Sequence, residues 1–186
     1  QADNAPTVVD IPHNWDDYYG YRQLTHGNLH GTAMYEKIFT LDNSQFPISD
    51  SSFGKRYFLR FEGVGTYATI TLNGKDFGRH PVGRTTLTLD VTDALKQGTN
   101  RLEVKAEHPE MIADMPWVCG RCSSEWGFSE GSQPLGIFRP VVLEVTDEIR
   151  IEPFGVHIWN VEKAANIFVQ TVVKNYGKTG ETIEVV

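Results

Sequence analysis

The sequence lacks the features of nucleic-acid-binding and membrane-spanning proteins. No basic run is present and the formal net charge is -7, which opposes a nucleic-acid or anionic-membrane surface because both need clustered positive charge. No apolar stretch approaches the roughly 18 residues of a membrane span, and the N-terminal residues given do not have the pattern of a charged-then-apolar leader. We therefore expect no nucleic-acid partner and no membrane span.

Cysteine is also scarce, with only Cys119 and Cys122, spaced C-x-x-C in WVCGRC. They can form a tight disulfide in an oxidising compartment, stay reduced, supply half a zinc site or act as a redox pair. A zinc site needs about four ligands, and only His108 lies nearby. The redox motif opens a helix in a βαβ setting that is absent here. We favour the disulfide or the reduced pair, and the compartment stays open, with a slight preference for a periplasmic or extracellular one.

Long helical periods are missing too, and short strand patterns replace them. Residues 56–62, RYFLRFE, alternate an apolar face with a mixed one, and residues 66–72, TYATITL, do the same. Asn73-Gly74 follows directly and is typical of a type I′ turn, because both residues adopt positive φ readily. We expect residues 75–78 to return antiparallel.

Further strands are predicted along the chain by the same alternation. The predicted strands are residues 8–11, as an edge strand, and residues 33–41, 86–91, 101–106 and 141–146. One helical turn is predicted at 92–95, and loops are predicted at 42–55 and 79–84. Short strands at about ten-residue spacing, with no long helix, indicate an antiparallel β-sandwich.

These strand segments resemble one family when they are taken in order. FLRFEGV, TITLNGKDFGRH, TTLTLDVTDALKQGTNRLEVKAEH and LGIFRPVVLEV resemble the N-terminal sugar-binding jelly roll of the family 2 glycoside hydrolases, the β-galactosidase, β-glucuronidase and β-mannosidase group. VVDIPHNW near the start is similar to that family's V-x-LPHDW entry. The resemblance implies an all-β fold, with an antiparallel jelly-roll β-sandwich over residues 1–148.

Residues 149–186 resemble the first strands of the immunoglobulin-like β-sandwich that follows the jelly roll in that family. Three strands are predicted here, at 155–161, 166–174 and 181–186. A complete sandwich of this kind takes about seven strands, so the domain is incomplete. We expect the tail to be partly disordered, or to form a homodimer through its unpaired edges.

No catalytic residue is predicted in this chain. Glycoside hydrolysis normally needs two facing carboxyl groups, and in the resembled family both glutamates come from a later (β/α)8 barrel. The alternating strand and helix pattern of such a barrel is absent from these residues. The resemblance implies a non-catalytic sugar-binding module of a glycosidase, inactive on its own. The alternatives are a stand-alone lectin-like jelly roll and a purely structural scaffold.

The candidate sugar contacts lie in the long, weakly periodic segment 107–133. Such segments are usually functional or disordered, and its tryptophans argue for order. The rings of Trp117 and Trp126 can stack on a pyranose, while Glu130 and Gln133 can bind hydroxyl groups. The alternative is that both tryptophans anchor the segment to the sandwich.

The resemblance and the sequence context bear on Glu130 again and on two more positions, Arg84 and Arg139. Glu130 is most similar to the family's acidic residue before the GIFR segment, which can contact sugar or an ion, although E-G-S-Q-P-L-GI stands here in place of D-x-x-W-x-x-SGI. Arg84 is a candidate for the cleft rim. Arg139, in GIFRP, matches the family's arginine at the strand start; we expect it to form a structural ion pair, and the alternative is that it lies in solvent.

The expected partners are a carbohydrate and the downstream domains of the same polypeptide. We assign no cofactor and no calcium site, because no dense Asp/Asn run is present. His13 and His80 stand beside prolines and are predicted to position loops rather than to bind a ligand.

Overall fold

The computed structural model describes residues 5–15, 30–42, 54–109, 135–160, 166–177, 180 and 182–184. Within these ranges all regular structure is β, apart from one 3-10 turn at Thr92–Ala94. The strands are β1 (Gly31–Leu41), β2 (Lys55–Phe61), β3 (Val64–Leu72), β4 (Lys75–Gly83), β5 (Leu87–Asp90), β6 (Gly98–His108), β7 (Val141–Asp147), β8 (Ile149–Asn160) and β9 (Ile167–Asn175).

The strands form three antiparallel sheets. The larger sheet has the order β1-β6-β3-β4, the smaller one β5-β2-β7, and β8 pairs with β9 alone. One cluster of buried side chains joins the two larger sheets. The predicted antiparallel β-sandwich is confirmed.

The core follows the alternation in the sequence. In β3 the side chains of Ala68, Ile70 and Leu72 are fully buried, and in β2 those of Tyr57 and Phe61 face them. Burying one large apolar side chain contributes about 1.5–3 kcal/mol. The hydrophobic effect therefore fixes which face of each strand points inward.

Charged residues cover the outer face of the larger sheet. In β6, Arg101, Glu103 and Lys105 alternate with core residues and point outward. Arg101 Nη2 lies 2.6 Å from a carboxylate oxygen of Glu36 in β1, and Lys105 Nζ lies 3.0 Å from one of Glu107. Exposed pairs of this kind add about 0–1 kcal/mol each, so they mark a solvated surface.

The predicted turn at Asn73-Gly74 is present, with φ values of 52° and 84°. The Asn73 side chain also accepts a hydrogen bond from the Arg101 amide at 2.9 Å and donates one to the Ala94 carbonyl at 2.8 Å. The turn residue thereby ties the β3–β4 hairpin to β6.

Two local predictions are wrong. The loop expected at 79–84 is largely strand, because β4 continues to Gly83 and Arg79 pairs with Thr69. β4 is an edge strand of its sheet, where a proline is tolerated. The edge strand expected at residues 8–11 does not form, and Val8 is fully exposed.

The tail forms the first two of its three predicted strands, as β8 and β9. In the third, predicted at 181–186, the described residues 182–184 are not in a strand. Most of the loop predicted at 42–55 lies outside the described residues. In the part of the chain that is described, no helix has the length and apolar character to cross a membrane.

Asn100 is a buried polar residue that stabilises the end of the sandwich near the Asn73-Gly74 turn. Its side chain is inaccessible to solvent, and its amide makes four hydrogen bonds. The partners are Asn73 Nδ2 at 2.7 Å, the Lys96 amide at 3.0 Å, the Lys96 carbonyl at 2.8 Å and the Gly98 carbonyl at 3.0 Å.

We expect Asn100→Ala to lower the free energy of unfolding by about 2–4 kcal/mol, because several buried backbone groups lose their partner. Urea denaturation followed by circular dichroism measures the change. Thr99→Ala, at an exposed neighbour in the same strand, is the control and should cost about 0.5 kcal/mol or less. Equal effects of the two substitutions would contradict a structural role for the amide.

Candidate functional site

The candidate site lies at the end of the sandwich where β6 ends at His108 and the described chain resumes at Leu135. Both flanks of the intervening segment meet the start of β3. Thr66 Oγ1 and His108 Nδ1 share a hydrogen bond of 2.8 Å, and the Gly65 amide donates to the Gly136 carbonyl at 3.0 Å. We call Gly65, Thr66, His108 and Gly136 the clasp. It brings the two ends of the segment to adjacent residues of one strand.

Most of the predicted site residues lie between the two ends of the clasp and outside the described residues. They are Trp117, Trp126, Glu130 and Gln133, together with Cys119 and Cys122. Their contacts with sugar and the disulfide therefore stay predictions.

Arg84 is described and lies at the same end of the sandwich. It is exposed and follows Gly83, whose strand partner is Val64, the residue before the clasp. This position suits the predicted rim. Its carbonyl oxygen also accepts a hydrogen bond of 3.4 Å from Arg139 Nη1.

Arg139 does not form the ion pair that was predicted for it, as far as the described residues extend. Its guanidinium contacts the Arg84 carbonyl and lies 5.7 Å from the Phe138 ring. The side chain is exposed on the return into β7, where an ion pair would add only about 0–1 kcal/mol.

The N-terminal segment reinforces the return of the chain at Gly136. The His13 amide donates to the Ile137 carbonyl at 2.7 Å, and His13 Nδ1 shares a hydrogen bond of 2.8 Å with the Tyr35 hydroxyl. His13 thus positions the segment, as predicted. The Asn14 side chain accepts a further, longer bond of 3.3 Å from the Leu135 amide.

Gly136 fits this position for two reasons. Its φ of +83° is unfavourable for other residues. A Cβ there would also collide with the Tyr35 hydroxyl and lie 3.0 Å from the His13 carbonyl oxygen. Burial raises the pKa of the Tyr35 hydroxyl, against the opposing effect of its hydrogen bond with the Ile137 backbone. Tyr35 therefore remains protonated and able to donate.

His108 is a neutral buried imidazole. Its side chain is inaccessible to solvent and its ring stacks on that of His30, with centroids 5.1 Å apart and planes 7° from parallel. Burial, and then the neighbouring His30, lower the pKa of His108 from 6.5 to about 4. A general acid or base works best with a pKa near the operating pH, so this geometry favours a structural role.

Glu107 is an acidic residue beside the clasp, and it is paired. Lys105 donates to one of its oxygens at 3.0 Å and Arg79 to the other at 3.2 Å. Desolvation acts to raise the pKa of Glu107, but these two cations outweigh it and lower the pKa. The Arg79 guanidinium also lies 3.5 Å from the centre of the Tyr67 ring. The carboxylate is ionised and engaged, which is unsuited to a general acid.

Other described carboxylates are paired in the same way. Asp90 lies 2.5 Å from Arg56, and Glu144 lies 2.6 Å from Arg60, which also pairs with Glu62. Within the described ranges, no group of three or more His, Cys, Asp or Glu residues is arranged to hold a metal ion.

The sequence patterns do not reveal the roles of Tyr35 and Thr66 or the close approach at Gly136. Tyr35 and Thr66 stand in strands whose alternation predicts burial, and no local pattern marks their hydrogen-bond partners. The glycine in L-G-I was the available signal, since glycine often marks a close backbone approach.

Taken together, these features define an all-β jelly-roll domain in which one long segment is clasped at one end of the sandwich. The chain belongs to the glycosyl hydrolase 2 galactose-binding domain-like family, whose model matches residues 17–115.

Known relatives are longer proteins of the same group. The chain is 32% identical over 146 residues to a β-glucuronidase of Bacteroides fragilis, covering 78% of this chain and 18% of the relative. It is 26% identical to the β-galactosidase BoGH2A of Bacteroides ovatus, covering 99% of this chain and 20% of that protein. The chain thus spans about a fifth of the length of these relatives.

Solved structures agree with this assignment. The crystal structure of a putative β-galactosidase from Bacteroides fragilis matches 91% of this chain and 24% of that chain, with a TM-score of 0.68 and 28% identity.

The pKa of His108 predicts a pH dependence of stability. Between pH 6.5 and about 4 the unfolded chain binds a proton at this residue that the folded chain does not bind, so stability falls as the pH falls through this window. The contribution is fully present above pH 6.5. We expect wild type to lose about 2 kcal/mol more than His108→Asn between neutral pH and pH 5.

Urea denaturation at several pH values measures this difference. His157→Gln, at an exposed histidine of β8, is the matched control and should keep the wild-type pH dependence. If His108→Asn also keeps it, His108 is not buried in its neutral form.

Proposed function

We propose that this chain is a non-catalytic sugar-binding module of a family 2 glycosidase. It binds the sugar through the segment held by the clasp and shapes the substrate cleft. The catalytic glutamates lie on a barrel elsewhere in the complete polypeptide. Family membership and the names of the relatives, β-glucuronidase and β-galactosidase, support a carbohydrate as the ligand.

The clasp is the observation that carries this proposal. It anchors both ends of the segment that contains Trp117, Trp126, Glu130 and Gln133 at the same end of the sandwich as Arg84. In folds of this kind, binding residues concentrate in loops that a rigid scaffold positions. Aromatic faces combined with a few hydrogen-bonding groups suit a pyranose.

The cation partners of Glu107, Asp90 and Glu144 support the non-catalytic part of the proposal. A glycosidase needs one carboxyl group that can donate a proton and a second that faces it across the bond. Glu107, Asp90 and Glu144 are each held by cations instead.

We expect Glu130→Gln and Trp126→Ala in the complete enzyme to lower kcat/KM by about 10–100-fold, since each removes a sugar contact worth about 1–3 kcal/mol. Steady-state kinetics on aryl β-glucuronide and β-galactoside substrates measure the effect. Trp159→Ala, at an exposed ring of β8, is the control and should retain wild-type kinetics. Wild-type kinetics in both site variants would exclude this segment from the cleft.

We also propose that β8 and β9 begin a second, immunoglobulin-like sandwich, with residues 1–148 as the first domain. One face of this hairpin is aliphatic, with Val156, Ile158, Ile167 and Val169 between 48% and 71% exposed. Such β-branched surfaces are typical of sheets that pack face to face. We infer that further strands of the same polypeptide cover this face.

The competing occupant of the aliphatic face is a second copy of the chain. Sedimentation of the 186-residue chain and of a longer form that includes the following domain distinguishes them. We expect both forms to be monomeric, with Ile158→Asp changing only the stability of the longer form, by about 2 kcal/mol or more. A dimer of the longer form that Ile158→Asp dissociates would instead assign the face to a homodimer.

A further inference from the structure

The tail hairpin joins the sandwich without a linker. β7 ends at Asp147 and β8 begins at Ile149, so Glu148 alone separates them. Short, direct connections leave few free backbone angles. The hairpin is nonetheless exposed over most of its length, so the contacts at its root decide how it is held.

Arg150 occupies this root. Its side chain is only 10% exposed, and its guanidinium carbon lies 4.1 Å from the centre of the Phe58 ring. Arg150 Nη2 lies 3.5 Å from Glu144 Oε2, on a carboxylate that also binds Arg60. A planar guanidinium can stack on an aromatic face and bind a carboxylate at the same time, which a lysine cannot do equally well.

Phe58 shows why this contact matters. It lies in β2 on the face that points away from the core, yet it is only 2% exposed. The Arg150 guanidinium covers its face, and the Tyr176 ring meets it edge-on, with centroids 5.2 Å apart and planes at 68°. A buried aromatic ring on the outer sheet face therefore depends on the tail for its cover.

Tyr176, which directly follows β9, contacts Phe58 as Arg150 does. Its amide donates to the Glu148 carbonyl at 2.8 Å, and its hydroxyl donates to Glu152 at 2.7 Å. Lys174 Nζ lies 4.4 Å from the centre of the same ring. Both strands of the hairpin are thus fixed at the root, and a hinge motion there would break contacts from both.

We propose that Arg150 and Tyr176 are positioning residues that hold the tail hairpin at a fixed orientation to the sandwich. The clasp lies beyond the Phe61 and Val141 ends of β2 and β7, while Arg150 lies beyond their Lys55 and Asp147 ends. The Arg150 guanidinium reaches back from there to Phe58 and Glu144, paired residues at the middle of β2 and β7, so only part of each strand lies between it and the clasped end. A domain that continues from the hairpin is therefore held at a set angle to the clasped end. This inference does not depend on sugar binding.

The test measures the spread of distances between the two parts. Spin labels are placed at Thr99 in β6 and Gln170 in β9, both exposed, in a background in which Cys119→Ser and Cys122→Ser prevent other labelling. Pulsed electron paramagnetic resonance then gives the width of the distance distribution. We expect a narrow single distribution that becomes at least twofold wider in Arg150→Met and in Tyr176→Ala.

The control is Arg101→Met, which removes an ion-paired, 54% exposed arginine on the larger sheet and should leave the width unchanged. Urea denaturation of the same samples separates orientation from stability, because a purely stabilising role lowers the midpoint without widening the distribution of the folded protein. A broad distribution already in wild type, or equal widths in Arg150→Met and Arg101→Met, would overturn the proposal.

Discussion

The return of the chain at Gly136 is the constraint on which the clasped end of this domain depends. Three backbone hydrogen bonds meet there, from His13 to Ile137, from Gly65 to Gly136 and from Glu62 to Pro140. They tie the N-terminal segment and the turn between β2 and β3 to the start of β7. The Tyr35 hydroxyl occupies the space that a Cβ at position 136 would need. Only glycine therefore lets the backbone come this close to Tyr35.

Ion pairs neutralise charged side chains on the surface of the sandwich. The outer face of the larger sheet carries paired charges, as in Arg101 with Glu36 and Lys105 with Glu107. Against the opposing effect of desolvation, Lys105 and Arg79 together lower the pKa of Glu107. These pairs therefore form a charged, solvated outer face on the larger sheet.

The tail hairpin packs against the sandwich outside its core. Without the tail, the Phe58 ring would be isolated on the outer face of its sheet. Arg150 and Tyr176 pack against the ring there, outside the main core. The rest of the hairpin exposes an aliphatic face that only another sheet can bury well. Among the described residues, the hairpin therefore meets the sandwich through cation–π, aromatic and ion-pair contacts around Phe58 and Glu144.

The sequence by itself determined most of the strands, their inward faces and the Asn73-Gly74 turn, because alternation and turn chemistry act over a few residues. The four ordered segments also led to the family. Tertiary structure alone decided that β4 runs to Gly83, that residues 8–11 form no strand, that Arg139 meets a carbonyl rather than a carboxylate, and that Thr66 meets His108. These outcomes depend on which distant segments become neighbours, and the free energy of such contacts arises only when the sheets have packed.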